Sequence, residues 1–306
     1  MTVSVNQFPW GLLNVFSGMN PGVRKGELSK HLLQRLPMKK LAPKPRAEFR
    51  YITMAGRAHQ LLLRESLTSL HRSWPALPAI TVISDGSWCE PEIQAALQGW
   101  PDEIQVLMPE IIFQNIPATE TPFLRQYAQA SPFGLKLGAL QILSRKEPSL
   151  FVDVDILWYA DPRPLLGPPA EWPRVRASRE SCCFHAETLA RQYCPKLLEP
   201  PYINAGLLAL NGPLMSNEQL EAMVESALHN PHAGQYEQTI LATAALQSGG
   251  LLPDQISYMD YADADHSTSF AAASAGYCSR HYVHWIRHHF YTDALRLRLN
   301  FFLSRS

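Results

Sequence analysis

From residue 49 onward the chain alternates short apolar runs with segments whose apolar residues recur at helical spacing, and this alternation constrains its fold more than any other feature. Residues 49–55, 79–84, 104–108, 150–155, 203–211 and 282–286 read as strands. Between them, Pro91 opens a helix that closes at Gly99, and a second helix spans 133–146. Ser216 and Gln219 form a capping box before Leu220, Met223, Val224 and Leu228, and a helix over 236–247 stops at Gly249 and Gly250. Strands alternating with helices predict an α/β fold: a Rossmann-like, mostly parallel central sheet with helices on both faces. In such sheets ligands sit beyond the carboxyl ends of the strands, so polar residues there carry the functional weight.

The length of 306 residues fits one large α/β domain or two smaller ones, of which a single domain is favoured, and 46% hydrophobic with 18% charged residues excludes disordered and fibrous classes. The formal net charge of +0 argues against retention on nucleic acid, and none is expected as a partner. The charge is uneven, however. Arg24, Lys25, Lys30, Arg35, Lys39, Lys40, Lys44 and Arg46 face only Glu27 before residue 48. Residues 1–47, with Pro21, Pro37, Pro43 and Pro45, are therefore read as a basic extension carrying a short helix over 28–36. It is either a solvated arm or a peripheral contact for an anionic surface. A domain over 48–290 and a C-terminal segment over 291–306 complete the division.

The five cysteines include the neighbours Cys182 and Cys183 but no C-x-x-C pair. That pattern indicates neither a disulfide framework nor a zinc site and favours a reducing cytoplasm. No leader pattern or membrane-spanning apolar run is read from the sequence.

Two D-x-D triplets occur, although chance alone supplies about one in a chain of this length. Asp263-Ala264-Asp265 lies in a small, polar stretch that reads as loop. Asp153-Val154-Asp155 follows the apolar run Leu150-Phe151-Val152 and precedes Ile156-Leu157-Trp158, so its acids fall where a buried strand leaves the sheet. Carboxylates two residues apart on an extended chain share a side and can approach one cation. Mg²⁺ and Mn²⁺ take such oxygen ligands and complete their shells with substrate phosphates.

These residues, followed in order by Tyr202-Ile203-Asn204-Ala205-Gly206-Leu207-Leu208, Tyr236-Glu237-Gln238 and Val283-His284-Trp285, resemble the ordered motifs of metal-dependent glycosyltransferases with the GT-A fold. The likeness is to the family-eight group of glycogenin and galactosyltransferase-like enzymes, and it covers roughly residues 49–290. Residues 131–143, with Leu135-Lys136-Leu137-Gly138, resemble the helix before the D-x-D strand of that group. The resemblance implies transfer of a hexose from a nucleoside-diphosphate sugar, with uridine diphosphate favoured as carrier, to an unknown acceptor. It also implies Mn²⁺ or Mg²⁺ as cofactor and retention of anomeric configuration.

By the same resemblance, Asp153, Asp155 and His284 would hold the metal. Asn204, Ala205 and Gly206 would lie beside the donor sugar, and Glu237-Gln238, standing where the family has Asp-Gln, would lie near the reacting carbon. Lys136, Arg287, His288 and His289 are candidates for the diphosphate, whose departing charge calls for cations. The family's glycine and lysine are not found after His284. Asp85, before Gly86, resembles a donor-binding turn, and an Asp there also forms the turn unaided. Gly56-Arg57 replaces the acid that relatives place near base and ribose. Trp158, Tyr159, Trp172 and Trp285 could stack on sugars or serve the core.

Two other classes remain open. A phosphatase of the haloacid dehalogenase type would use the first Asp as nucleophile, although Leu157 departs from its pattern. A GT-A-like binding protein without catalysis would account for the altered first strand, the missing lysine and Glu237.

Overall fold

The computed structural model describes residues 21–36, 40–259, 276–283 and 286–303, with side chains as far as residue 299. Its centre is a six-stranded sheet in the order β3-β2-β1-β4-β7-β6. These strands are β1 (Arg46–Ala55), β2 (Leu77–Ser84), β3 (Ile104–Leu107), β4 (Ser149–Val152), β6 (Val175–Glu180) and β7 (Tyr202–Leu210). Neighbours from β3 through β4 run parallel, whereas β7 is antiparallel to both β4 and β6. Predicted strands 49–55, 79–84, 104–108 and 203–211 all lie within this sheet, close to their expected bounds.

Side-chain alternation along each strand divides the core between the two sheet faces. Tyr51 and Leu150 join Trp74, Trp158, Tyr282 and Phe290 on one side. Their neighbours Ile52 and Phe151 join Leu140, Leu208 and Ile240 on the other. Burial of each such side chain stabilises the fold by roughly 1.5–3 kcal/mol before chain entropy is counted. Trp158 and Trp172 belong to this core rather than to a sugar platform, and the Tyr159 hydroxyl meets that of Tyr282 at 2.5 Å.

Three of the predicted helices lie on the second face, whereas the one opened by Pro91, observed as Glu90–Ala96, packs Ile93 into the first. Helix Pro132–Leu143 starts at Ser131, whose Oγ accepts from Phe133 N at 3.1 Å. Helix Asn217–Ala227 starts at Ser216, whose Oγ accepts from Gln219 N at 3.3 Å. The Gln219 side chain does not close the expected box; it donates instead to Gln247 Oε1 at 2.9 Å. Helix Gly234–Gln247 ends ahead of Gly249, whose φ of 77° suits glycine.

Two strand assignments change. The run predicted over 150–155 ends at Val152, turns through residues 153–155, and resumes as β5 (Ile156–Trp158). That strand belongs to a separate three-stranded sheet, β5-β9-β8, with β8 (Ser257–Tyr258) and β9 (Ser279–His281). The strand expected over 282–286 therefore lies earlier, at Ser279–His281. Tertiary pairing decides this: Ile156 faces His281, Tyr282 N donates to Asp155 O at 2.9 Å, and Ile286 N turns back onto Val283 O at 2.9 Å. Tyr282 and Val283 have the higher strand propensity but fall outside the strand.

The helix foreseen over 28–36 is longer and packed. We label it α1 (Pro21–Arg35); it buries Gly26, Ser29 and Leu33 and lies along a C-terminal helix, Arg287–Leu303. The approach is close, for a Cβ on Gly26 would fall 2.5 Å from His288 O. Helix Gln60–Ser73 braces the pair: Arg64 Nη2 donates to Leu33 O at 2.5 Å, and Glu65 receives both arms of Arg298 at 2.7 and 3.0 Å. Among the described residues no helix is long and apolar enough to cross a membrane.

Candidate metal centre

The chain runs outward from β1 to β2 and β3, then returns to place β4 on the other side of β1. The switch point at which such sheets form their ligand crevice therefore lies at the carboxyl ends of β1 and β4. Ala55 and Gly56 end one strand; Asp153 follows the other. Asp153 N donates to Gly206 O at 2.7 Å, tying the turn to β7, and Asp155 leads directly into β5. The two acids thus occupy a turn rather than an extended strand, and they still converge.

They converge on His281, whose Nε2 lies 3.1 Å from Asp155 Oδ1 and 3.9 Å from Asp153 Oδ2. One ligand atom from each of the three lies within 4.8 Å of the others. Two carboxylates and an imidazole at this spacing suit a six-coordinate Mn²⁺ or Mg²⁺ with positions left for substrate oxygens. Asp155 is almost fully buried, while the Asp153 side chain is about one-third exposed, at 34%. The site therefore opens toward Asp153. His284, expected from the resemblance as a ligand, lies outside the described residues, as do Trp285 and Asp263-Ala264-Asp265.

Electrostatics hold the centre in one arrangement. Burial pushes the Asp155 carboxyl up, but the charge and hydrogen bond of His281, then those of Arg287, outweigh it and hold the group well below the usual carboxylate range. Burial depresses the His281 imidazole, yet Asp155, then Asp153 and Glu180, carry it above its ordinary value. A cation arriving at this histidine must expel its proton.

The remaining cluster comes from β7 and two helices. Lys136 Nζ lies 3.3 Å from Asp153 Oδ1, 3.4 Å from Ala205 O and 3.0 Å from Glu237 Oε1, the last off line for a hydrogen bond. Burial opposes its charge, but Asp153 and Glu237 prevail and raise it. The Glu237 carboxyl is itself raised, by burial first, against the pull of Lys136. Asn204 Oδ1 accepts from Gly206 N at 2.7 Å. Gly206 is forced: a Cβ there would lie 2.3 Å from His281 Cε1 and 2.8 Å from Asp153 Oδ2. Gln238 Nε2 donates to Glu180 Oε2 at 2.7 Å and to Ile203 O at 3.3 Å.

On the β1 side, Asp85 Oδ1 accepts from Ser87 N at 2.8 Å, the turn-forming contact an aspartate provides unaided. Gly56 gives it room, since a Cβ there would fall 1.9 Å from Asp85 Oδ2. Half-buried His59 belongs to the same crevice. Burial and then Arg287 lower its pKa, against Asp155, Asp85 and Asp153. Arg287 Nη2 donates to Asp155 Oδ2 at 2.7 Å. The rings of His288 and His289 meet at a tilt of 42° with centroids 4.0 Å apart, and the backbone of His288 lies against α1.

The structure therefore gathers Asp153, Asp155, Lys136, Asn204, Ala205, Gly206, Glu237, Gln238 and Arg287 around one centre. Sequence reasoning missed His281, Glu180 and His59. The first stands three residues before the histidine chosen. Glu180 ends a strand, Val175–Glu180, too rich in Arg and Ser to read as apolar, although its alternate Val and Ala residues were a signal.

No family model matches this sequence, and no curated protein matches it. Among solved structures, mouse xyloside xylosyltransferase 1 in its apo form aligns with 77% of this chain and 97% of its own, at 15% identity and a TM-score of 0.52. Galactosyltransferase LgtC, in complex with donor and acceptor sugar analogs, aligns with 80% of this chain and 95% of its own, at 16% identity and a TM-score of 0.49. The xylosyltransferase alignment establishes the fold: the chain has the architecture of GT-A-type glycosyltransferases.

Proposed function

We propose that the chain is a metal-assisted glycosyltransferase that moves a hexosyl group from a nucleoside-diphosphate sugar to an acceptor. The observation that carries this reading is the convergence of Asp153, Asp155 and His281 within 4.8 Å at the crevice between β1 and β4. On this reading His281, rather than His284, is the histidine ligand. Bound there, Mn²⁺ or Mg²⁺ would act as a Lewis acid on the departing diphosphate.

The chain's own groups prepare the rest. Asp155 stays ionised at neutral pH. Asn204 commits its carbonyl oxygen to Gly206, which leaves its NH₂ group for a sugar hydroxyl. Gln238 commits its NH₂ group to Glu180 and Ile203, which leaves Oε1 to face positive charge developing on the sugar. Lys136 steadies both Asp153 and Glu237 beneath that position. Retention of configuration and uridine diphosphate as carrier are carried over from the family resemblance. Five free cysteines, three of them exposed, favour residence in a reducing cytoplasm.

A Mn²⁺-supported screen of nucleotide sugars, reading donor hydrolysis, tests the assignment without knowledge of the acceptor. Asp153→Asn and Asp155→Asn are expected to keep the fold and abolish turnover. Activity that survives both substitutions, or phosphate release from simple phosphoesters with no turnover of nucleotide sugars, overturns it.

A further inference from the structure

Both oxygens of Asp155 are engaged from within the protein. Oδ1 faces His281 Nε2 at 3.1 Å, and Oδ2 receives Arg287 Nη2 at 2.7 Å. The two cations of the centre are held differently. Lys136 is shared between Asp153 and Glu237, is nearly enclosed, and lies over the Phe151 ring at 4.4 Å. Among the described residues Arg287 forms an ion pair with Asp155 and with no other acid, and its side chain is 37% exposed. It thus touches the most buried ligand carboxylate while its side chain stays partly exposed, with Nε buried.

That geometry allows Asp155 to give Oδ1 to a cation while Arg287 keeps Oδ2, so the guanidinium and the cation would share one carboxylate. A fixed positive charge at that range, beside a nearly buried carboxylate, opposes a divalent ion. The same guanidinium has planar, forked donors suited to phosphate oxygens. An arriving diphosphate supplies negative charge to both the ion and Arg287 and removes the opposition.

We propose that Arg287 couples the two ligands: in the free protein it keeps affinity for the divalent cation low, and a bound diphosphate releases that restraint. The inference rests on reading Asp153, Asp155 and His281 as a metal site. By linkage, the cation must strengthen diphosphate binding by the same factor. Arg287 is a positioning residue in this scheme, acting on the cation through Asp155 and on the diphosphate directly.

The test measures Mn²⁺ binding by the loss of the free-ion paramagnetic resonance signal, in the full chain, with and without uridine diphosphate. Mn²⁺–nucleotide complexation in solution is subtracted. Wild type is expected to bind Mn²⁺ at least tenfold more tightly with the nucleotide. Arg287→Gln should bind Mn²⁺ alone at least tenfold more tightly than wild type and lose most of the coupling; Arg287→Met repeats the charge removal with the aliphatic stem retained. Unchanged or weaker Mn²⁺ affinity in both variants, or no coupling in wild type, overturns the proposal, and the wild-type arm needs no variant to fold. Asp155→Asn separates the two levels: if it leaves Mn²⁺ binding intact, or if no form of the protein binds Mn²⁺ even with nucleotide, the metal-site reading itself fails.

Discussion

Gly206 and His281 approach so closely that no side chain fits between them: a Cβ on Gly206 would lie 2.3 Å from His281 Cε1. Backbone at 206 is therefore the floor on which the imidazole rests. Gly206→Ala should displace His281 and cost about 1–3 kcal/mol through overpacking. Mn²⁺ titration beside a thermal melt checks this, and the expected outcome is a loss of metal affinity larger than the modest fall in melting temperature suggests.

Glu180 holds Gln238 through a 2.7 Å hydrogen bond and adds to the field that raises His281. Glu180→Gln keeps the volume but lets the two amides rotate. Turnover of a nucleotide sugar should fall roughly 10–100-fold, as when a partner that orients an active-site group is changed. Steady-state kinetics should show the loss mainly in kcat; an unchanged kcat would remove Glu180 from the machinery.

The buried Glu65–Arg298 pair joins the C-terminal helix to helix Gln60–Ser73. Arg298→Leu removes the doubly hydrogen-bonded partner of buried Glu65, leaving it Arg64 and the nearby charge of Arg72, and should cost about 3–5 kcal/mol. Replacing both residues with leucine should restore much of that loss. Denaturant unfolding of the singles and the double closes the cycle, with a large coupling energy as the expected result.

His185 is buried, neither ring nitrogen has a hydrogen-bond partner among the described residues, and burial lowers its pKa from 6.5 to about 4. Its folded pKa lies below the unfolded value, so the unfolded chain takes up the proton first. Stability from this group is complete above pH 6.5 and is lost as pH falls toward 4, by at most about 3 kcal/mol. His185→Leu should flatten that part of the stability profile, as measured by urea unfolding at successive pH values.

The sheet was legible because its strands carry their own signal: 49–55, 79–84, 104–108 and 203–211 are apolar runs that need no partner to be recognised. The acid pair was legible for a related reason, since Leu150-Phe151-Val152 announces the strand that delivers it. His281 was not, because its place is fixed by pairing with Ile156, a contact between residues far apart in sequence. Local propensity pointed instead to the Tyr-Val-His-Trp-Ile run. Glu180 was hidden in a polar strand whose burial comes from β7 alongside it. Arg287 was found as a cation, but its grip on Asp155 depends on tertiary placement that spacing does not encode.

The partners of Asp155, His281 and Arg287, lie 126 and 132 residues after it in the chain. As the polypeptide leaves the ribosome at about 5–20 residues per second, all six strands of the central sheet are available well before either partner has been made. Through that interval Asp155 lacks both groups that later neutralise it, although Asp153 already has Lys136, and α1 waits for the helix it packs against. Electrical completion of the centre therefore follows the synthesis of every strand of the sheet, so a nascent chain can hold all six strands and still lack a finished site.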